Sequence, residues 1–183
     1  MYTNWVDLLK ETCLLRGDFT LSSGKKSDIY FDIRRAALHP DLLLEIVARF
    51  EELMTKHSLE HVTRIGGPSS GADTLVAALL SYVSFFRRPV DYRGFLVRKE
   101  PKVHGTSRLI EGFVPRLHDR ALILEDVATT GKSILHAVRA VKETGAVVQH
   151  AFVVLDRQEG AEAALGAEGV KLFSLLTKAD LGI

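Results

Sequence analysis

From residue 62 onward the chain alternates short, apolar, β-prone runs with segments of helical periodicity, and this alternation constrains its fold more than any other feature. The apolar runs fall at residues 62–65, 95–97, 121–124, 151–155 and 170–175. Helical patterns fall between them: a long apolar stretch from about Ala72, then residues 133–143 and 160–167. A parallel crossover needs room for a helix, and a strand buried on both faces is apolar throughout. The pattern therefore predicts the α/β class: a parallel sheet flanked by helices on both faces.

The first third of the chain is read the same way. Trp5, Leu8, Leu9 and Cys13 recur at helical spacing, with Asn4 as N-cap and Gly17 just beyond the end. Residues 19–21 and 29–31 are β-prone and flank Ser22-Ser23-Gly24-Lys25-Lys26-Ser27, which predicts a hairpin-like excursion with a basic tip. From Pro40 at a first helical position, Leu43, Ile46, Val47, Phe50, Leu53 and Met54 follow the helical template. Residues 74–86, broken by Ser81 and Ser84, fall short of the ~20 apolar residues that span a bilayer and read as a buried helix. No repeat or linker divides the 183 residues, so a single domain over residues 1–183 is expected.

Charge and cysteine content narrow the function. Net charge is +1, with basic and acidic residues interspersed, so neither nucleic acid nor a membrane surface is the expected partner. Any anion site must be local. The first ten residues lack the basic start and apolar run of a signal peptide. Cys13 is the one cysteine, and no Cys/His group has zinc-ligand spacing. A reducing, cytoplasmic setting is the simplest expectation.

The most informative segment is Ala121-Leu-Ile-Leu-Glu125-Asp126-Val127-Ala128-Thr129-Thr130-Gly131-Lys132-Ser133. An apolar strand ends in two carboxylates and passes through small residues into a helix. Short hydroxyls and bare N–H groups at a helix N-terminus favour a phosphate. Glu125 and Asp126 would repel one, so the ligand must also offer hydroxyls or a cation; a sugar phosphate meets both demands. A P-loop is excluded, because Asp126 stands where its first glycine belongs. A capped turn with solvated carboxylates fits these residues too.

This segment resembles the motif with which type I phosphoribosyltransferases bind 5-phosphoribosyl 1-diphosphate (PRPP). A second segment, Phe95-Leu-Val-Arg98-Lys99-Glu100-Pro-Lys102-Val-His104-Gly105, puts three cations and a histidine within seven residues. It could close over a departing polyanion with Gly105 and Gly112 as hinges, or be a solvated surface loop. Beside the first motif it resembles the catalytic loop of orotate phosphoribosyltransferases. The stretch from Asp18 to Asp32 is similar to that family's N-terminal segment, and Asp156-Arg157 follows a strand where the family places an orotate contact. The likeness spans nearly the whole chain.

The resemblance implies a type I phosphoribosyltransferase-like sheet with a small N-terminal hood, about residues 1–35, over the base site. It implies that Arg98, Lys102 and His104 contact the diphosphate, and that Lys99 reaches a neighbouring subunit's site, hence a homodimer. Glu125, Asp126, Val127, Ala128, Thr129, Thr130, Gly131, Lys132 and Ser133 would hold the ribose 5-phosphate, with Asp126 on the ribose hydroxyls. Thr129 and Arg157 would face orotate; the planar fork of Arg157 suits a carboxylate. Arg98, Lys99, Lys102, His104 and Asp126 are thus the expected catalytic set. Mg²⁺ would enter on the diphosphate rather than on protein ligands. Ser22 stands where some members carry lysine; Lys25 or Lys26 could substitute, or both could be exposed turn lysines.

Gly66-Gly67-Pro68-Ser69-Ser70-Gly71 resembles the family's loop near the diphosphate, and a plain βα turn fits it equally. His39, His57, His61, His118, His136, His150 and Cys13 read as structural or surface residues. The reaction implied is displacement of diphosphate from PRPP by N1 of orotate, giving orotidine 5′-monophosphate. A transferase for another base and a non-catalytic PRPP-binding regulator share the first motif.

Overall fold

The computed structural model describes residues 5–20, 26–86, 91–101 and 108–182. It opens with α1 (Trp5–Cys13), whose buried Trp5, Leu9 and Cys13 are spaced four apart and share one face. The chain then passes directly into β1 (Leu14–Thr20), which pairs antiparallel with β2 (Lys26–Phe31). Gly17 is therefore not a helix stop. It lies inside β1, in extended backbone at the irregularity between Arg16 and Phe19. Asp32 begins α2 (Ile33–Ala37), its carboxylate accepting from the Arg34 N–H. The long helix α3 (Pro40–Lys56) starts with proline at its first turn, as its fixed φ favours.

The main sheet takes β3 (Arg64–Pro68), β4 (Arg93–Val97), β5 (Ile110–Gly112), β6 (Arg120–Ala128), β7 (Val147–Asp156) and β8 (Lys171–Thr177) in the order β5-β4-β3-β6-β7-β8. All neighbours run parallel except β5, which returns antiparallel along β4. Its helices are α4 (Asp73–Phe86), α5 (Lys132–Lys142), α6 (Ala161–Gly166) and the short α7 (Lys178–Leu181). Along β6, Leu122 and Leu124 join a core with α1 to α4, while Ala121 and Ile123 join a second core with α5 and α6. Two buried faces make that strand apolar at each position from Ala121 to Leu124.

Three expectations are corrected. Gly66 and Gly67 belong to β3 rather than to the turn, because β3 sits between β4 and β6 and pairs with both. Gly112 closes β5 opposite Phe95 and so is not a free hinge. The apolar helix α4 buries Leu75, Val76, Leu79 and Val83 but leaves Phe85 76% exposed, since only one side meets the core. Among the described residues no helix is long and apolar enough to cross a membrane.

Candidate active site

A cleft of about 1150 Å³ opens at the carboxyl ends of β3, β4, β6 and β7, between them and the β1–β2 hairpin. Parallel strands all deliver their ends to this edge, which is where open α/β sheets bind ligands. The register puts Glu125 opposite Val153 and Ala128 opposite Asp156, so the carboxylate pair and Arg157 emerge side by side.

Glu125 is buried and lines the cleft with Asp126. Burial, and then the negative charge of Asp126, push its carboxyl up to about 8; a hydrogen bond from Ser133 acts against the rise. The Asp126 N–H donates to Glu125 Oε1 at 3.3 Å, and the Val127 N–H donates to Asp126 Oδ1 at 2.7 Å. From the facing turn Gly71 presses on this pair: a Cβ there would overlap the Glu125 carboxylate. That turn includes a cis peptide between Ser69 and Ser70.

The small-residue loop runs from β6 into α5. Gly131 holds the helix N-cap in left-handed backbone, φ +76°, and no side chain caps the helix. The first-turn N–H groups and the positive helix end are thus left for a ligand. Thr129, Thr130, Gly131, Lys132 and Ser133 all line the cleft, as do Val127, Lys99 and Arg157. The Arg157 N–H donates to the Ala128 carbonyl at 2.9 Å, tying the end of β7 to the loop beside Thr129. Its guanidinium pairs with Glu159 at 3.0 Å.

Other expected residues sit differently. Arg98 is not among the lining residues; its guanidinium pairs with Glu111 at 3.3 Å and donates to the Glu100 carbonyl at 3.3 Å. Ala128 is buried beneath the loop and contributes its carbonyl. Lys102, His104, Gly105, Ser22, Gly24 and Lys25 lie outside the described residues. Lys26 does reach the cleft, but as the first residue of β2 rather than from a turn, with Nζ donating to Thr20 Oγ1 at 2.9 Å.

The cleft also recruits Tyr30, Asp32, Arg34, Lys178 and His136, none of them anticipated. Tyr30 arrives on β2, Arg34 on α2 and Lys178 on α7. Only His136 carried a signal, lying four residues beyond Lys132 on the same face of α5. Its Nε2 lies 2.9 Å from the Arg98 carbonyl oxygen, a contact in keeping with a structural histidine.

No protein-family model matches the chain. It is 42% identical over 176 residues to the orotate phosphoribosyltransferase of Methanothermobacter thermautotrophicus, covering 96% of this chain and 91% of that one. Among solved structures it is similar to Mycobacterium tuberculosis orotate phosphoribosyltransferase in complex with Fe(III) dicitrate, with a TM-score of 0.80, 38% identity and 98% of each chain covered. The same mycobacterial enzyme in complex with PRPP aligns with a TM-score of 0.77 at 34% identity, again over 98% of each chain.

Proposed function

This chain belongs to the orotate phosphoribosyltransferase family, and from that premise we propose how its cleft performs the transfer. The reaction replaces the diphosphate on C1 of PRPP with N1 of orotate, yielding orotidine 5′-monophosphate, a step of pyrimidine synthesis. One observation carries the assignment of roles: an uncapped helix N-terminus, a carboxylate pair and an arginine fork converge on one cleft.

The 5-phosphate sits at the start of α5, on the backbone and hydroxyls of Thr129, Thr130, Gly131, Lys132 and Ser133. Asp126 accepts from the ribose hydroxyls, and Glu125 backs it from beneath. Arg157 forks onto the orotate carboxylate beside Thr129, which moves Glu159 off one face of the guanidinium. The diphosphate is met by Arg98, Lys99, Lys102 and His104. For Arg98 this requires release of Glu111, a half-exposed pair worth at most about 1 kcal/mol.

No covalent nucleophile is needed. The chain holds donor and acceptor in line and places positive charge where the leaving group gathers negative charge. The diphosphate oxygens are the hard donors that magnesium accepts beside its waters. Mg²⁺ on the diphosphate would add charge neutralisation there.

Finer points belong to the same proposal. The enzyme works as a homodimer, with Lys99 serving the site of the neighbouring subunit. It resides in the cytoplasm, in keeping with a lone, buried Cys13 whose thiol burial pushes up to about 11.

The test is the absorbance change of orotate on mixing protein, PRPP and Mg²⁺, with uracil, adenine and hypoxanthine in parallel. Orotate alone is expected to turn over, and Arg157→Ala is expected to raise its KM roughly a hundredfold, the scale of a truncated charge pair. Turnover of another base would overturn the role of Arg157, and PRPP binding without any turnover would point to a regulator.

A further inference from the structure

We propose that His136 is a positioning residue for the diphosphate-binding lysine, acting through the peptide that joins Arg98 to Lys99. His136 lies one helical turn beyond Lys132, so α5 presents phosphate-site residues and this imidazole on one face, and both line the cleft. Its Nε2 is 2.9 Å from the Arg98 carbonyl oxygen. A carbonyl only accepts, so Nε2 carries the hydrogen.

Besides the Glu100 carbonyl that its guanidinium reaches, Arg98 is held at three points. Its N–H donates to the Leu109 carbonyl at 2.9 Å, its guanidinium pairs with Glu111, and its carbonyl receives His136. The first two contacts lie within the segment formed by β4 and β5. His136 comes from a different element, the helix whose N-terminus faces the cleft. Fixing that carbonyl fixes the plane of the following peptide, hence the direction in which Lys99 leaves the backbone. Lys99 lines the cleft, so one hydrogen bond ties the phosphate helix to the cation beside it.

The inference rests on the reading above that Lys99 serves the diphosphate. The experiment compares steady-state kinetics of His136→Phe, which removes the donor and keeps the ring volume, with His136→Gln, which restores an N–H, each with and without Lys99→Ala. His136→Phe is expected to raise the KM for PRPP about tenfold, the ceiling for one hydrogen bond, with the orotate KM and the melting temperature unchanged. His136→Gln should recover most of that loss. In the Lys99→Ala background His136→Phe should add nothing, since neighbours that act as one unit are not additive.

Unchanged kinetics in His136→Phe would overturn the proposal. So would equal losses in the Phe and Gln variants, a fall in melting temperature that accounts for the loss, or a full extra tenfold in the Lys99→Ala background. An unaltered PRPP KM in Lys99→Ala alone would instead strike the reading of Lys99, and the inference with it. Should the phenylalanine not pack, His136→Leu reports on the same bond.

Discussion

Glu125 is where residue-level electrostatics are most exposed to test. A carboxyl that is 5% exposed beside Asp126 keeps its proton up to about pH 8, whereas the unfolded chain releases it near 4.5. Between those values the folded state holds more protons than the unfolded one, so stability must fall as pH rises. The contribution is fully present below 4.5 and is lost as pH climbs through about 8. Thermal melting of the free protein should therefore decline across that window more steeply than melting of Glu125→Gln, which cannot titrate. Parallel curves for the two proteins would refute the assignment. Glu125 and Asp126 stood out in the sequence as paired carboxylates ending an apolar strand, although a capped turn fitted them too, and Arg157 was named only by the family resemblance. Tyr30, Arg34 and Lys178 were not, since they matter only through contacts that the folded chain creates.

At the scale of elements, the turn between β3 and α4 and the end of β6 form one unit, packed so closely that Gly71 has no room for a methyl group against Glu125. Gly71→Ala should displace the Glu125 carboxylate at a small cost in stability, because the atoms it meets are side-chain ends rather than backbone. PRPP binding, measured by calorimetry, should weaken as well. A variant with wild-type melting and wild-type affinity would show that the turn yields freely. The longer elements were readable because periodicity needs length: α3 and β6 announced themselves. Strand β5, with three residues, and α7, with four, are too short to carry a period. The reach of β3 through Gly66 and Gly67 was hidden because glycines usually signal turns; here two neighbouring strands hold them extended.

For the whole molecule, the question is whether one chain completes its own site. Lys99 lines the cleft of its own chain, while the proposed homodimer has it serve the neighbour. Mixing Lys99→Ala with Asp126→Asn subunits decides it after exchange. Action across the interface predicts recovery of about a quarter of wild-type activity, because half the dimers are mixed and each carries one intact site. Action within the chain predicts no recovery.

The antiparallel return of β5 along β4 has a further consequence. Arg98 and Leu109 are joined by a backbone hydrogen bond, so the segment between them begins and ends at the same place on the sheet edge. Changing the length of a segment whose ends already meet costs only a logarithmic entropy, about 0.6 kcal/mol per doubling. The sheet is thereby indifferent to what is spliced in. On the proposed roles, leaving-group chemistry would be a cassette that evolution, or an engineer, can exchange while α5 and Arg157 stay where they are.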